Sequence, residues 1–377
     1  MDILKELIIS RIKNKGKITF ADFMQMALYY PEHGYYNSNI TSIGKSGDFY
    51  TSPAVHQIFG ELVAVQLEEM WRTLGSNEFT VVEMGANAGW LCYDAMRYIK
   101  NEYPEFYEKI QYIIVESNPY MRKKQQELLC GKDVFNEKLS WHSYTIKDGF
   151  SFDAVQGCFL SNEFVDALPV HRLIVKEGAL KEIYVGYSGV DLYEIVDEVC
   201  NQELKDYYIG TELTLRENQI FEISLAVRNY LNHVARKLHR GFVLTIDYGD
   251  TAHRLCRNNG AEGTVRCYYQ HSVNREYYKR LGEQDITASV DFSHLMNVGK
   301  GLGLEVAGFV KQSHYLIALG VLEKLNRLRN NLETVLKVKN LFLPEGMGDI
   351  FKVLIQHKNV KNPSLSGLKP LNTIKFA

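Results

Sequence analysis

The chain has 377 residues, of which 46% are hydrophobic and 23% charged, and a formal net charge of -2. That length suits one large α/β domain with insertions or two domains, with room for a substantial core. The near-neutral balance gives no support to a nucleic-acid or membrane-surface partner. No apolar run reaches the roughly 18–20 residues of a membrane-spanning helix.

Residues 1–16 carry Leu4, Leu7, Ile8 and Ile12 at helical spacing, with Asp2 and Glu6 among them. They read as an amphipathic helix rather than a signal or transit peptide, and the expected location is cytoplasmic. Thr19 is placed to cap a second helix bearing Phe23, Met24, Ala27 and Leu28, which Pro31 and Gly34 stop. Residues 37–53 form a long polar loop ending "GKSGDFYTSP", and helical periodicity resumes over 54–74. The six cysteines, at 92, 130, 158, 200, 256 and 267, show no CxxC spacing, so reduced thiols and no metal site are expected.

Strand and helix then alternate. Strands are expected at 79–84 (FTVVEM), 111–116 (QYIIVE), 138–142 (KLSWH), 153–160 (DAVQGCFL) and 242–247 (FVLTID), with helices over 90–100 and 118–130. Near-continuous apolar strands joined by helices indicate a parallel sheet covered on both faces. The stretches 304–311 and 315–321 are expected to close the sheet edge as a strand pair. Residues 170–215 break the alternation with strand pairs, followed by one long helix. The expected organisation is an N-terminal helical segment with a loop (1–75), a core (76–169 and 241–357), an inserted β-rich region (170–240) and a polar, mobile tail from 358. A charged helix is expected over 323–340.

The stretch "FTVVEMGANAGWL" carries the first chemistry. Gly85 follows the strand where the chain must turn sharply, and Gly89 opens the next helix, whose first N–H groups lack backbone partners. Glu116 ends the second strand, about 30 residues on, where an acid can accept both ribose hydroxyls of an adenosine. It could equally cap the next helix, a role also open to Ser117 and Asn118. Glu83 precedes the turn. An acid facing the ligand there would repel a pyrophosphate but serve the amino and sulfonium cations of S-adenosylmethionine, which favours methyl transfer over hydride transfer. After the fourth strand, "SNEFVDALPVHR" sets Asn162, Glu163 and Asp166 at the ligand-binding edge. Asp247, Asp285 and Asp291 follow later, the last well placed as a helix cap. No GxSxG, HExxH or GxxxxGKS motif is present.

These motifs, with "FMQMALYYPEHGYY" (23–36), "GDFYTSPAVHQIFGE" (47–61), "GTVRCYYQH" (263–271), "GEQDITASVDF" (282–292) and "LPEGMGDIFKVL" (343–354), resemble the MidA-like S-adenosylmethionine-dependent methyltransferases. The family comprises bacterial and mitochondrial relatives of a respiratory complex I assembly factor. The resemblance runs nearly the full chain. It implies an α/β, Rossmann-like class I methyltransferase core with a mostly parallel sheet, S-adenosylmethionine as cofactor, and arginine methylation of a protein such as a respiratory-complex subunit. Carried over by position, it implies that Gly85 and Gly89 shape the cofactor loop, that Glu116 holds the ribose, that Gly47, Asp48, Thr51 and Pro53 lie near the methionine end, and that Asn162 and Glu163 flank the transferred methyl; Glu83, Ala86, Asn87 and Ser117 complete the expected cofactor site. Glu163 is the expected catalytic carboxylate, with Asp166, Asp247 and Asp285 as weaker candidates. The family pattern at the turn is E-x-G-P-G-x-G, and this chain departs from it at Ala86 and Asn87. Asn tolerates positive φ nearly as well as glycine, so the turn is expected to persist. Two other readings are open. One is transfer to a small-molecule hydroxyl or carboxyl, with His171 as the nearest base in sequence. The other is a non-catalytic binding protein that keeps the fold.

Overall fold

A computed structural model describes residues 3–38, 52–131, 135–145, 148–258, 261–328 and 330–373. The chain divides into two units. The first comprises Met1–Phe49, Asp166–Asn229 and Gly249–Leu295; the second comprises Tyr50–Val165, Tyr230–Tyr248 and Met296–Ala377.

The second unit is built on a sheet of β1 (Phe79–Met84), β2 (Ile110–Val115), β3 (Leu139–His142), β4 (Val155–Asn162), β5 (Leu238–Asp250), β6 (Glu305–Lys311) and β7 (Phe351–Lys358). Their spatial order is β6-β7-β5-β4-β1-β2-β3. The first five strands pair in parallel. β7 enters antiparallel between β5 and β6. The helices α1 (Ile58–Thr73), α2 (Trp90–Glu102) and α3 (Pro119–Cys130) belong to the same unit. Leu62, Leu67, Leu91, Ala95 and Ile99 from α1 and α2 join Val81, Tyr112, Ile114 and Leu160 from the strands in one buried cluster. Helix α3 starts where the sequence instructs it. Pro119 occupies its first turn, and the Asn118 side chain accepts from Tyr120 N at 2.8 Å and Met121 N at 3.3 Å.

The first unit is antiparallel. Strand Ala179–Tyr187 pairs with Leu192–Glu198 on one side and with His171–Lys176 on the other, and Ile220–Ile223 lies beyond the latter. Helix Ile3–Lys15 buries Leu4, Ile8 and Ile12, and Thr19 Oγ1 caps helix Phe20–Tyr29 by accepting from Asp22 N at 3.0 Å. These helices share a buried cluster with Val170, Val185 and Leu192 of the inserted region. The N-terminal segment and the β-rich region are therefore parts of one core.

Four sequence expectations are corrected. Residues Gln312–Ala318 are helical, because Tyr315, Leu316 and Leu319 bury one helical face. The antiparallel partner of β6 is β7, not the 315–321 run. The long helix expected after residue 215 is a strand, Ile220–Ile223, followed by helix Ala226–Lys237. The helix expected over 323–340 is two, Val321–Arg327 and Leu332–Phe342. The polar tail is docked: Ser366 donates from N to Glu69 Oε2 at 2.7 Å and from Oγ to Glu69 Oε1 at 2.9 Å. Among the described residues no helix is long and apolar enough to cross a membrane.

Glu83 lies inside the sheet core at 3% exposure, with its Oε2 accepting the Tyr112 hydroxyl at 2.8 Å. Burial lifts its carboxyl from the ordinary 4.5 to about 7, against the opposing effect of that hydrogen bond. The native state thus holds a proton that the unfolded chain releases near pH 4.5. The associated stability is present below that pH and lost as pH rises through 7. Glu83→Gln is expected to raise stability at pH 8 by up to about 3 kcal/mol and to leave it unchanged near pH 4. Urea unfolding at the two pH values tests this, and equal effects at both would refute the assignment.

Candidate active site

The strand order reverses at β1, with β2 and β3 to one side and β4 and β5 to the other. In an open parallel sheet that reversal creates a crevice outside the C-terminal strand ends. The segments leaving β1 and β4 meet there. A Cβ on Gly85 would stand 3.1 Å from Phe164 Cδ2, so the bare glycine is what admits the ring.

The turn after β1 is left-handed at three of five positions: Gly85 at φ 62°, Asn87 at 51° and Gly89 at 90°. Asn87 adopts the conformation expected for the glycine it replaces. Its Oδ1 is buried without a hydrogen-bond partner in the chain. Gly89 is the N-cap of α2 and offers no capping side chain, which leaves the first-turn N–H groups to a ligand. Ala86 packs into the core at 5% exposure.

Glu116 follows β2 directly, and its N–H donates to His142 O at 3.0 Å. Its half-buried carboxylate accepts from Asn118 N at 2.9 Å on Oε1 and from Gln125 Nε2 at 3.2 Å on Oε2. Burial raises its pKa, and these hydrogen bonds pull the other way. One oxygen serves the start of α3, while the group stays at the strand end. Ser117 is exposed and donates from Oγ to Tyr144 O at 3.2 Å.

Asn162 ends β4, and Glu163 turns left-handed at φ 52°. Such backbone costs on the order of 1–3 kcal/mol in a residue with a side chain and needs support. Glu163 N donates to Ile246 O at 3.0 Å. The fully buried Asp247 accepts from Phe164 N at 3.2 Å and Val165 N at 2.9 Å on Oδ2, and from Tyr248 N at 3.0 Å on Oδ1. The Glu163 carboxylate is half-buried, and its Oε1 accepts from Asn162 Nδ2 at 3.0 Å and Ser52 N at 2.9 Å.

The structure brings Gly85, Ala86, Asn87, Gly89, Glu116, Asn162 and Glu163 to the C-terminal edge of one sheet. Pro53 lies in the short helix Ser52–Val55, whose first N–H reaches Glu163. Gly47, Asp48 and Thr51 lie outside the described residues. Glu83 departs from its sequence reading. The repulsion argument needs an acid that faces the ligand, and this one is enclosed against Tyr112.

Asp166 and Asp285 belong to the first unit and are both buried. Asp285 Oδ1 accepts the Tyr36 hydroxyl at 2.8 Å, and Asp166 O accepts from Ala288 N at 2.9 Å. The Tyr29 and Tyr36 rings stack at 5.5 Å. Burial, then the charge of Asp285, holds both phenols well above their ordinary pKa. His171 Nδ1 lies 2.7 Å from Oε1 of the wholly buried Glu182.

Sequence reasoning missed Gln125 and Ser52, and treated Asp247 only as a weaker candidate acid. Gln125 had a signal: it interrupts the apolar stripe of Met121 and Leu129 on α3.

A doubly wound sheet, a left-handed turn at its switch point and an acid ending the adjacent strand are the arrangement of a nucleoside-binding α/β fold. The chain belongs to the family described as "Putative S-adenosyl-L-methionine-dependent methyltransferase", which matches residues 62–310. It is similar to the mitochondrial protein arginine methyltransferase NDUFAF7 homolog of Drosophila melanogaster, 27% identical over 393 residues, covering 95% of this chain and 85% of that protein. The mitochondrial protein arginine methyltransferase NDUFAF7 of Danio rerio is 28% identical over 373 residues, covering 93% and 85%. A Burkholderia thailandensis protein crystallised with S-adenosyl-homocysteine has the same fold, with a TM-score of 0.84 at 24% identity over 97% of this chain and 94% of that one. The expected cytoplasmic location is overturned, because these curated relatives are mitochondrial proteins.

Asp247→Ala strands three backbone N–H groups and is expected to cost about 3 kcal/mol in urea unfolding. A loss below about 0.5 kcal/mol would contradict its supporting role. Asn87→Gly keeps the left-handed turn, and S-adenosyl-homocysteine affinity is expected to stay within about threefold by calorimetry. A loss beyond about tenfold would instead assign Asn87 Oδ1 a direct ligand contact.

Proposed function

We propose that this methyltransferase modifies an arginine guanidinium of a protein. When bound, S-adenosylmethionine supplies a sulfonium methyl electrophilic enough for displacement by nitrogen. The residues of the turn fit that group: Gly85, Asn87 and Gly89 hold a left-handed turn at the strand end, the α2 N-terminus is uncapped, and Glu116 offers acceptor oxygens to a ribose. The Glu83 side chain is left out of this assignment.

The observation that carries the acceptor reading is Glu163. Its carboxylate is anchored through Oε1 by Ser52 N and Asn162 Nδ2, on strained backbone at the switch point. A guanidinium stays charged in water and is matched in shape by a carboxylate. Each charge-assisted hydrogen bond is worth roughly 1.5–3 kcal/mol. Glu163 holds the guanidinium, orients one nitrogen and takes the proton that nitrogen releases as its bond to carbon forms. The arginine methyltransferase names of the curated relatives support the same acceptor. We assign the inserted β-rich region to substrate binding, and Asp166 and Asp285 remain weaker catalytic candidates than Glu163. A respiratory-complex subunit is the acceptor to test first.

Glu163→Gln keeps the size of the side chain and removes its charge. It is expected to lower methyl transfer at least about 100-fold, while S-adenosyl-homocysteine affinity moves less than about threefold. Incubating a cell extract with labelled cofactor identifies the acceptor. Label recovered as methylarginine supports the proposal. Label in small molecules, or full turnover by the Gln variant, overturns it.

A further inference from the structure

We propose that Gln125 is a positioning residue of the cofactor site, setting the glycine turn and the ribose-binding acid at a fixed spacing. This rests on the reading that the turn and Glu116 hold the nucleoside. Gln125 lies on the buried stripe of α3 between Met121 and Leu129 and has no exposed surface. A leucine there would satisfy packing, whereas a buried amide is tolerable only with its polar atoms paired.

Here the pairing is complete and directional. Trp141 Nε1 donates to Gln125 Oε1 at 3.1 Å. An indole N–H is a donor only, so it fixes which end of the amide is the oxygen. The two N–H donors of Nε2 are thereby aimed at Asn87 O, 2.6 Å away, and Glu116 Oε2, 3.2 Å away. One side chain joins the turn after β1, the acid after β2 and the indole of β3. With Asn118 N on Oε1, it fixes the plane of the Glu116 carboxylate before any ligand arrives. Ordering the site in advance lowers the entropic cost of binding.

The position acts through Glu116, so the test is a double-mutant cycle read by calorimetry with S-adenosyl-homocysteine. Gln125→Leu is expected to weaken binding about tenfold in the parent chain and less than about threefold in the Glu116→Ala background. In turnover assays, KM for the cofactor should rise while kcat stays within about twofold. An equal loss in both backgrounds would mean general packing and overturn the proposal, as would no loss in the parent chain. If Glu116→Ala itself leaves affinity unchanged, the reading of Glu116 as ribose acid fails, and this proposal falls with it by a separate route. Should Gln125→Leu fail to fold, Gln125→Met, of similar length and flexible, replaces it in the same cycle.

Discussion

The buried carboxylate of Asp247 holds the N–H groups of Phe164 and Val165, and the placement of Glu163 depends on it. Glu163 sits at φ 52°, a backbone conformation that is costly for a residue with a side chain. Because Asp247 is on β5 and Glu163 follows β4, the support is the parallel pairing of those strands, in which Ile246 lies opposite Asn162. A shift of one residue in that register would move the carboxylate off the turn and turn Glu163 away from Ser52 and Asn162. The site is thus an output of strand register.

Two acids near the same loop, one buried and one half-buried, show how environment divides roles. Glu83 is within β1, with the Tyr112 hydroxyl beside it, and burial raises it to about 7. Glu116 is one residue beyond β2, accepts two N–H donors and keeps part of its surface. The difference is one of position along the strand. Inside a strand of this sheet a side chain meets helix or strand; past its end it meets the crevice. The same rule separates Asp247, inside β5 and spent on backbone amides, from Glu163, past the end of β4.

Where local signals agreed, the sequence was readable. Five strands, the helices between them and the Thr19 cap rest on short-range patterns and stand as expected. The left-handed Asn87 was readable because few residues other than Gly accept that backbone. What failed was decided at long range. The run 315–321 is apolar at nearly every position, so its period could not separate strand from helix. The choice was made by β7, which took the partner edge of β6. The tail looked mobile because its composition is polar, yet Glu69, on α1, supplies its partner from far away in sequence. Gln125 was passed over because an amide on a helix is usually a surface residue. Its partners, Asn87, Glu116 and Trp141, come together only in the folded sheet.

The choice among acceptors turns on where a proton can go. A hydroxyl acceptor needs a base, and the sequence offered His171. That ring is bound to Glu182, which also takes the Tyr184 hydroxyl at 2.9 Å and the Cys200 N–H at 3.3 Å. A guanidinium makes a different demand. It arrives charged, so its partner must first neutralise and orient it, and a proton is lost only as the new bond weakens that N–H. A carboxylate serves that sequence, provided it is held still. Glu163, strained in backbone and anchored through one oxygen, is a carboxylate built to be held still.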